Sequence, residues 1–174
     1  MNVAILLAAS LPALFVAAAV FDLATYTIPN FVPGAMIVLF AALAAVMAIS
    51  GHPLSLDEIG MHVLAGFIGL FAGAVFFALR WVGGGDAKLF AAAALWLGFD
   101  ALFQYAVLGA VLGGCFTIGI LMVRQIPLPA ILTTMPWFAR LTDRKQGVPY
   151  GVTLAMAALT MWPGTELFRL VVTS

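Results

Sequence analysis

Long apolar stretches without a single charged residue are the feature that most constrains this sequence. Seven basic and seven acidic residues make up only 8% of the chain, against about 25% in an ordinary soluble domain. Hydrophobic residues make up 65%, and the mean hydropathy is +1.18. A soluble domain of this size cannot bury so much apolar surface, because small domains leave a large share of their surface exposed. The composition therefore excludes a soluble globular protein and predicts an all-α, polytopic membrane protein in contact with the lipid bilayer.

The charge balance and the small number of possible metal ligands exclude further classes of protein. Disorder requires low hydrophobicity and high net charge, and nucleic-acid binding requires a basic surface, whereas acids and bases are equal here. The single cysteine, Cys115, cannot form an internal disulfide, and His52 and His62 lack metal-ligand spacing. We therefore predict no nucleic-acid partner, no metal and no other cofactor.

The uncharged stretches predict about six transmembrane helices within one domain that covers residues 1–174. A spanning helix needs about 20 residues, and five of the stretches reach that length. The fourth stretch is short and begins near Asp86. The approximate spans are residues 1–21, 31–50, 59–81, 86–99, 101–123 and 148–170.

Lysine and arginine residues set the predicted orientation. With six spans, one side of the membrane receives nearly all of the basic residues, namely Arg80, Lys88, Arg124, Arg140, Arg144 and Lys145, and the other receives Arg169. By the positive-inside rule the rich side is the cytoplasm, so both termini lie outside. Short external loops then hold Asp57, Glu58 and Asp100.

Two segments are predicted to lie at the cytoplasmic surface. Residues 22–30 contain Pro29, which disfavours helix at Ile28, so we expect a turn in which Asn30 caps the second helix. Residues 124–147 are expected to form a loop lying partly on the membrane surface, and their three prolines are Pro127, Pro129 and Pro136.

Small residues recur at a spacing typical of helices in close contact. Gly69 and Gly73 form one GxxxG pattern, and Gly109 and Gly113 form another. Such patterns let helix backbones approach closely in lipid. We expect packing within the chain rather than a dimer interface.

Two acidic residues, Asp22 and Asp86, are predicted at the cytoplasmic ends of spans. Ionisable groups at that depth are costly and suggest function. Asp22 is also compatible with a solvated interfacial carboxylate, and Asp86, which follows three glycines, with a flexible turn in which it caps the fourth span. Two adjacent carboxylates share one proton. The charged member can activate water while the protonated member polarises a peptide carbonyl, which is aspartic proteolysis.

Three stretches carry a family resemblance. They are Asp22 followed by Ile28-Pro29-Asn30, residues 83–89 (GGGDAKL) and residues 148–151 (VPYG). In order, spacing and predicted membrane side, the chain resembles the type IV prepilin peptidases, the bacterial branch of the GxGD-type aspartic membrane proteases. The resemblance implies that Asp22 and Asp86 are catalytic and that the protein lies in the bacterial inner membrane.

The resemblance also implies a substrate and a set of neighbouring site residues. The substrate is a prepilin or pseudopilin whose basic leader lies in the cytoplasm, cut after a glycine. Residues implied to bind substrate or shape the site are Gly83, Gly84, Gly85, Lys88, Pro149, Tyr150 and Gly151. An interfacial anchor remains open for Lys88, as does a simple helix start for Pro149 and Tyr150.

One departure from the family pattern restricts the activity. Longer members carry a cytoplasmic insertion with paired cysteines between the first two spans, and they also N-methylate the new terminus. Here the segment between Asp22 and Phe31 leaves no room for that insertion. The chain resembles the short form associated with tight-adherence (Flp-type) pili, which implies a peptidase without methyltransferase activity or S-adenosylmethionine binding.

Three alternatives remain open at this point. One is a GxGD protease with another substrate, such as preflagellin. A second is a small transporter or proton channel that uses Asp22 and Asp86 as a proton relay. A third is a noncatalytic assembly subunit that keeps the fold.

Overall fold

A computed structural model describes residues 3–126, 134–144 and 146–173, and over these residues it is helical without strands. Eight α-helices follow one another in the described residues, with a 3₁₀ turn, Trp162–Gly164, between the last two. They are α1 (Val3–Thr25), α2 (Phe31–Ile49), α3 (Leu56–Ala78), α4 (Gly84–Leu97), α5 (Phe99–Val123), α6 (Pro136–Thr142), α7 (Tyr150–Met161) and α8 (Glu166–Thr173).

Four helices, α1, α2, α3 and α5, are long and apolar enough to cross a membrane. Their outward surfaces carry exposed large apolar side chains such as Val20, Phe71 and Phe103, as expected for contact with lipid tails. The prediction of an all-helical fold is confirmed over the described residues, and these four helices are consistent with the predicted multi-pass membrane protein. The count of six spans stays a prediction, because α4 and α7 are shorter than a spanning helix.

The short α4 is enclosed by other helices. It packs against α2, α3, α5 and α7, and its side chains are buried on every face from Ala91 to Leu97. A helix that is apolar all round is a buried helix rather than an amphipathic one. Because α4 is surrounded by protein, its length of about 21 Å does not have to match the bilayer.

Glycines bring the central helices together, which confirms the predicted packing within the chain. A Cβ atom on Gly73 of α3 would lie 2.9 Å from the Cα atom of Ala87 in α4, and Gly69 meets the next turn of α4. Backbones can approach this closely only where side chains are missing. Gly109 and Gly113 of α5 instead make room for the Leu154 and Tyr150 side chains of α7.

The last predicted span is divided into two helices. α7 ends at Met161, and the turn that follows contains Pro163 and Gly164. Proline has no N–H to donate and its ring clashes with the preceding turn, which disfavours continuation of the α-helix at this point. Thr165 then starts α8, because its Oγ1 accepts the N–H of Phe168 at 3.3 Å in the manner of an N-cap.

The predicted turn between the first two helices is present, but the predicted cap is wrong. α1 ends at Thr25 and α2 begins at Phe31. The Asn30 side chain makes no capping hydrogen bond to α2. Its Oδ1 instead accepts a hydrogen bond from the Lys88 ammonium at 2.8 Å, so a distant cation replaces the local partner.

The acidic residues predicted in external loops lie in helices instead. Asp57 and Glu58 belong to the first turn of α3, and Asp100 to the first turn of α5. The pattern Ser55-x-x-Glu58 explains the early start of α3, since each side chain bonds the other residue's backbone N–H, which is a capping box.

The segment between α5 and α7 is attached to the end of α1. The Arg140 guanidinium of α6 donates to the carbonyl of Ala24 at 2.9 Å. Arg124 donates to the carbonyls of Leu141 and Gly147. Pro127 and Pro129 lie outside the described residues, and the placement of this segment on the membrane surface stays a prediction.

The bundle has two distinct ends. At one end, α1 and α5 finish and α2, α4 and α7 begin. The opposite end has an open cavity of about 720 Å³, lined among others by Asp57, His62, Asp100 and Glu166. Asp22 and Asp86 lie at the first end, away from this cavity.

Candidate active site

The two predicted catalytic carboxylates lie together where the end of α1 meets the first turns of α4 and α7. Asp22 is in the last turns of α1 and is 4% exposed, and Asp86 is in the first turn of α4 and is 9% exposed. The two carboxylates interact electrostatically. Their helices are joined through α2 and α7, each of which packs against both. Folding therefore brings together two acids that are 64 positions apart in the sequence.

The start of α7 holds the Asp22 carboxylate. The Gly151 N–H donates to Asp22 Oδ2 at 2.7 Å, and the Val152 amide also interacts with this carboxylate. Amides in the first turn of a helix have no partner within the helix, and the helix dipole favours a negative charge there. Hydrogen bonds to an ionised carboxylate are also among the stronger ones. The sequence places these amides correctly because Pro149 ends the preceding loop and starts the helix.

Asp86 is held by its own helix. Its Oδ2 accepts the Gly83 N–H at 3.0 Å, so Gly83 is the N-cap and Asp86 is the third residue of the first turn. The interpretation of Asp86 as the N-cap is therefore wrong, although the carboxylate does reach back to the helix start. Each carboxylate is thus held by the amide of a glycine at a helix start, Gly83 for Asp86 and Gly151 for Asp22.

A comparison with protein families identifies the chain. The model of the type IV leader peptidase family matches residues 9–118. The match covers more than half of the sequence and includes Asp22 and Asp86. The chain belongs to the type IV leader peptidase family. No curated protein and no solved structure gave a match.

Membership in this peptidase family confirms the predicted resemblance and supports a leader peptidase-like function in a membrane. Residues 148–151 lie beyond the matched range. The structure, and not the family match, connects these residues to the site of this leader peptidase family member. The connection is the hydrogen bond that the Gly151 N–H donates to Asp22.

Gly151 has no space for a side chain. A Cβ atom there would lie 2.6 Å from Ile28 Cδ1 and 2.8 Å from Asp22 Oδ2. Tyr150 points to α5, where its ring packs on Gly113 and its hydroxyl accepts a hydrogen bond from Thr117 at 3.4 Å. Pro149 and Tyr150 thus fix the start of α7, and Gly151 makes the contact with the acid.

Of the three glycines before Asp86, Gly85 serves the close approach of another segment, and none of the three has a positive φ. Positive φ is found elsewhere among the described glycines, at Gly51 and Gly98. At Gly85 an added Cβ would lie 3.1 Å from Ile28 Cβ and 3.3 Å from the Ile28 backbone nitrogen. A Cβ added to Gly84 would lie 3.5 Å from the Phe77 ring, an ordinary contact distance. The turn between α1 and α2 can therefore lie directly on the first turn of α4.

Lys88 joins α4 to that turn. Its side chain is exposed, and its described hydrogen bond is the one to Asn30 Oδ1. The bond fixes the start of α2 beside the turn that carries Asp86.

Ile28 is a site residue that the sequence indicates only as part of the Ile28-Pro29-Asn30 motif. It lies in a polar turn, yet it is 7% exposed and reaches both Gly85 and Gly151. An isolated apolar residue between polar neighbours was the signal available in the sequence, but it does not reveal which helices the side chain contacts.

Proposed function

We propose that this chain is an aspartic endopeptidase of the bacterial inner membrane that removes the basic leader peptide from type IV prepilins or pseudopilins. The observation that carries the proposal is the pair of buried carboxylates, Asp22 and Asp86, each held by a backbone amide at the start of a helix. Membership in the leader peptidase family supports the reaction class.

The proposed reaction uses the two aspartates as a unit. The charged carboxylate takes a proton from water, which attacks the scissile carbonyl, and the protonated carboxyl polarises that carbonyl. A proton is then passed to the leaving amine. Amides of Gly83 and Gly151 support the negative charge of the pair. Because interacting acids titrate together, neither role is assigned to one residue.

The depth of the pair fits a substrate that is cut at the edge of its own membrane helix. Lys88, Arg124 and Arg140 lie at the same end of the bundle as the aspartates, and the positive-inside rule assigns a basic end to the cytoplasm. A prepilin with a cytoplasmic basic leader and an apolar helix has its junction at that boundary.

We further propose that the enzyme does not N-methylate the product and serves Flp-type pili. Only the five residues 26–30 separate α1 from α2, and that turn contains no cysteine. The single cysteine, Cys115, lies on α5. A short turn of this kind supports the form that lacks the cysteine-containing insertion and S-adenosylmethionine binding.

Co-expression with a small prepilin from the same genome tests the peptidase. Cleavage is followed by gel and by mass spectrometry of the new terminus, which also detects any methyl group. We expect Asp22→Asn and Asp86→Asn each to lower cleavage by at least about 10²–10⁴-fold, the range typical of general acid–base groups. Asp100→Asn, at the exposed start of α5, is the matched control and should cleave normally.

Cleavage that survives either site substitution would contradict the catalytic pair. A folded protein that cuts a preflagellin-like precursor but no pilin precursor would instead support a GxGD protease with another substrate. Failure to cut any precursor would favour a noncatalytic subunit or a proton relay.

A further inference from the structure

Arg124, which follows the last residue of α5, is bonded to two parts of the segment that leads into α7. Its Nε donates to the carbonyl of Leu141, near the end of α6, at 2.9 Å, and its Nη2 donates to the carbonyl of Gly147 at 3.0 Å. Hydrogen bonds from a charged donor are stronger than those between neutral groups, and the planar guanidinium fixes the direction of both. The side chain therefore holds this segment against the end of α5.

The segment that Arg124 holds leads directly to the amide that binds Asp22. Gly147 precedes Gly151 by one helical turn in sequence, and the Gly151 N–H donates to Asp22 Oδ2 at 2.7 Å. Pro149 is the N-cap of α7, and no side chain caps this helix. Because the first amides of a helix have no partner within it, the start of α7 depends on the preceding backbone and on the carboxylate for its position.

The other part of the same segment is attached to α1, the helix that carries Asp22. Arg140 of α6 donates to the carbonyl of Ala24 at 2.9 Å. No side chain of α6 is fully buried, so hydrogen bonds contribute more to its attachment than apolar burial does. Arg124 thus completes a connection from the end of α1, through α6, to the start of α7. This connection runs parallel to the bond between Gly151 and Asp22.

We propose that Arg124 is a positioning residue, which holds the start of α7 so that the Gly151 amide stays bonded to Asp22. It acts through the backbone carbonyl of Gly147. The family match ends before Arg124, so the inference comes from the structure. Its effect on the reaction rests on the proposed peptidase function, whereas its effect on Gly151 does not.

Arg124→Ala and Arg124→Lys test this role, and Arg144→Ala is the matched control. Lysine keeps the positive charge, but its ammonium does not reproduce the two fixed directions of the guanidinium donors. Arg144 donates to the backbone carbonyl of Arg124 at 3.1 Å. Its removal therefore takes away an equal charge from the same end of the bundle and leaves both side-chain bonds of Arg124 in place.

The first readout is the Gly151 amide itself. Hydrogen exchange of isotope-labelled glycine amides is followed by NMR on the whole protein in detergent. We expect the Gly151 amide to exchange at least about tenfold faster in both Arg124 variants, because a helix start that loses a charged hydrogen bond opens locally more often. The Gly83 amide, bonded to Asp86 on α4, is the internal reference and should keep its rate. Arg144→Ala should leave both amides unchanged.

The second readout is prepilin cleavage in membranes, with kcat and KM measured separately. A displacement of about 1 Å in a catalytic group costs about 10²-fold in rate. We expect kcat to fall by about 10–10²-fold in both Arg124 variants while KM stays nearly unchanged, because the lost contact orients the proposed catalytic pair and not the bound substrate. Arg144→Ala should keep the wild-type kcat.

Wild-type exchange at Gly151 in both Arg124 variants would overturn the proposal. Full rescue of both readouts by Arg124→Lys would also overturn it, since charge alone would then suffice, and so would faster exchange with an unchanged kcat. If Arg124→Ala does not fold, Arg124→Lys decides. Faster exchange at Gly151 in the variants, with no cleavage of any prepilin by the wild type, would refute the proposed function and leave the effect of Arg124 on Gly151 intact.

Discussion

At the residue scale, Gly151 is the position where the site tolerates least change. The Cβ atom of an alanine there would collide with Asp22 Oδ2 and Ile28 Cδ1, so either the start of α7 or these two side chains must move, and the Gly151–Asp22 hydrogen bond is disturbed. A displacement of about 1 Å can cost about 10²-fold in rate. We expect Gly151→Ala to lower prepilin cleavage by that factor or more, measured at equal protein levels in membranes.

The matched control for this substitution is Gly114→Ala in α5, where an added Cβ meets nothing within 4 Å. It should leave cleavage unchanged. Equal activity of the two variants would show that the Gly151–Asp22 contact does not position the proposed catalytic pair.

Residues that depend on long-range contacts were harder to predict than the acids. Asp22 and Asp86 stand out in the sequence because charge is rare and costly in a membrane. Asn30 has a good local option as a helix cap, but Lys88, 58 positions away, bonds its side chain instead. Local patterns contain no information about such a partner. The same limit applies to Ile28, whose two neighbours come from α4 and α7.

At the element scale, the contact between α3 and α4 sets the position of the helix that carries Asp86. Gly73→Ala would place a Cβ atom 2.9 Å from both the Cα and the Cβ of Ala87, next to Asp86. Overpacking of a tight contact costs about 1–3 kcal/mol. We therefore expect a lower unfolding temperature in detergent, together with reduced cleavage, because α4 is pushed towards the site.

Gly60→Ala on the same helix is the matched control, since nothing lies within 4 Å of an added Cβ there. Alanine is favoured over glycine in helices by up to about 1 kcal/mol, so this variant should be as stable as the wild type or more so. If Gly73→Ala behaved like Gly60→Ala, the close approach of α3 and α4 would not limit stability.

The long helices were predictable from the sequence, and the short ones were not. An apolar run of about 20 residues is required by the thickness of the bilayer, which is why α1, α2, α3 and α5 follow the uncharged stretches. That constraint does not apply to α4, since protein encloses it. The division between α7 and α8 follows from Pro163. This proline disrupts the helix, but it has little effect on the mean hydropathy from which the span was predicted.

At the scale of the whole molecule, the two ends of the bundle predict which loops share a side of the membrane. The turn that follows α2 and the start of α5 lie at the cavity end, where Leu54 and Asp100 line the same cavity. Gln146 lies at the other end. Its neighbour Gly147 accepts a hydrogen bond there from the Arg124 guanidinium through its carbonyl. If α4 crosses the membrane like its neighbours, His52 and Asp100 are outside and Gln146 is in the cytoplasm.

Single cysteines in a Cys115→Ala background test this arrangement in spheroplasts with a membrane-impermeant maleimide. We expect His52→Cys and Asp100→Cys to react directly, and Gln146→Cys to react only after the membrane is opened. All three side chains are exposed, so burial cannot explain a difference. If the maleimide labelled the His52→Cys variant in intact spheroplasts but not the Asp100→Cys variant, α4 would not cross the membrane. The reverse pattern at all three positions would place the aspartates outside, where the basic leader of a prepilin cannot reach them.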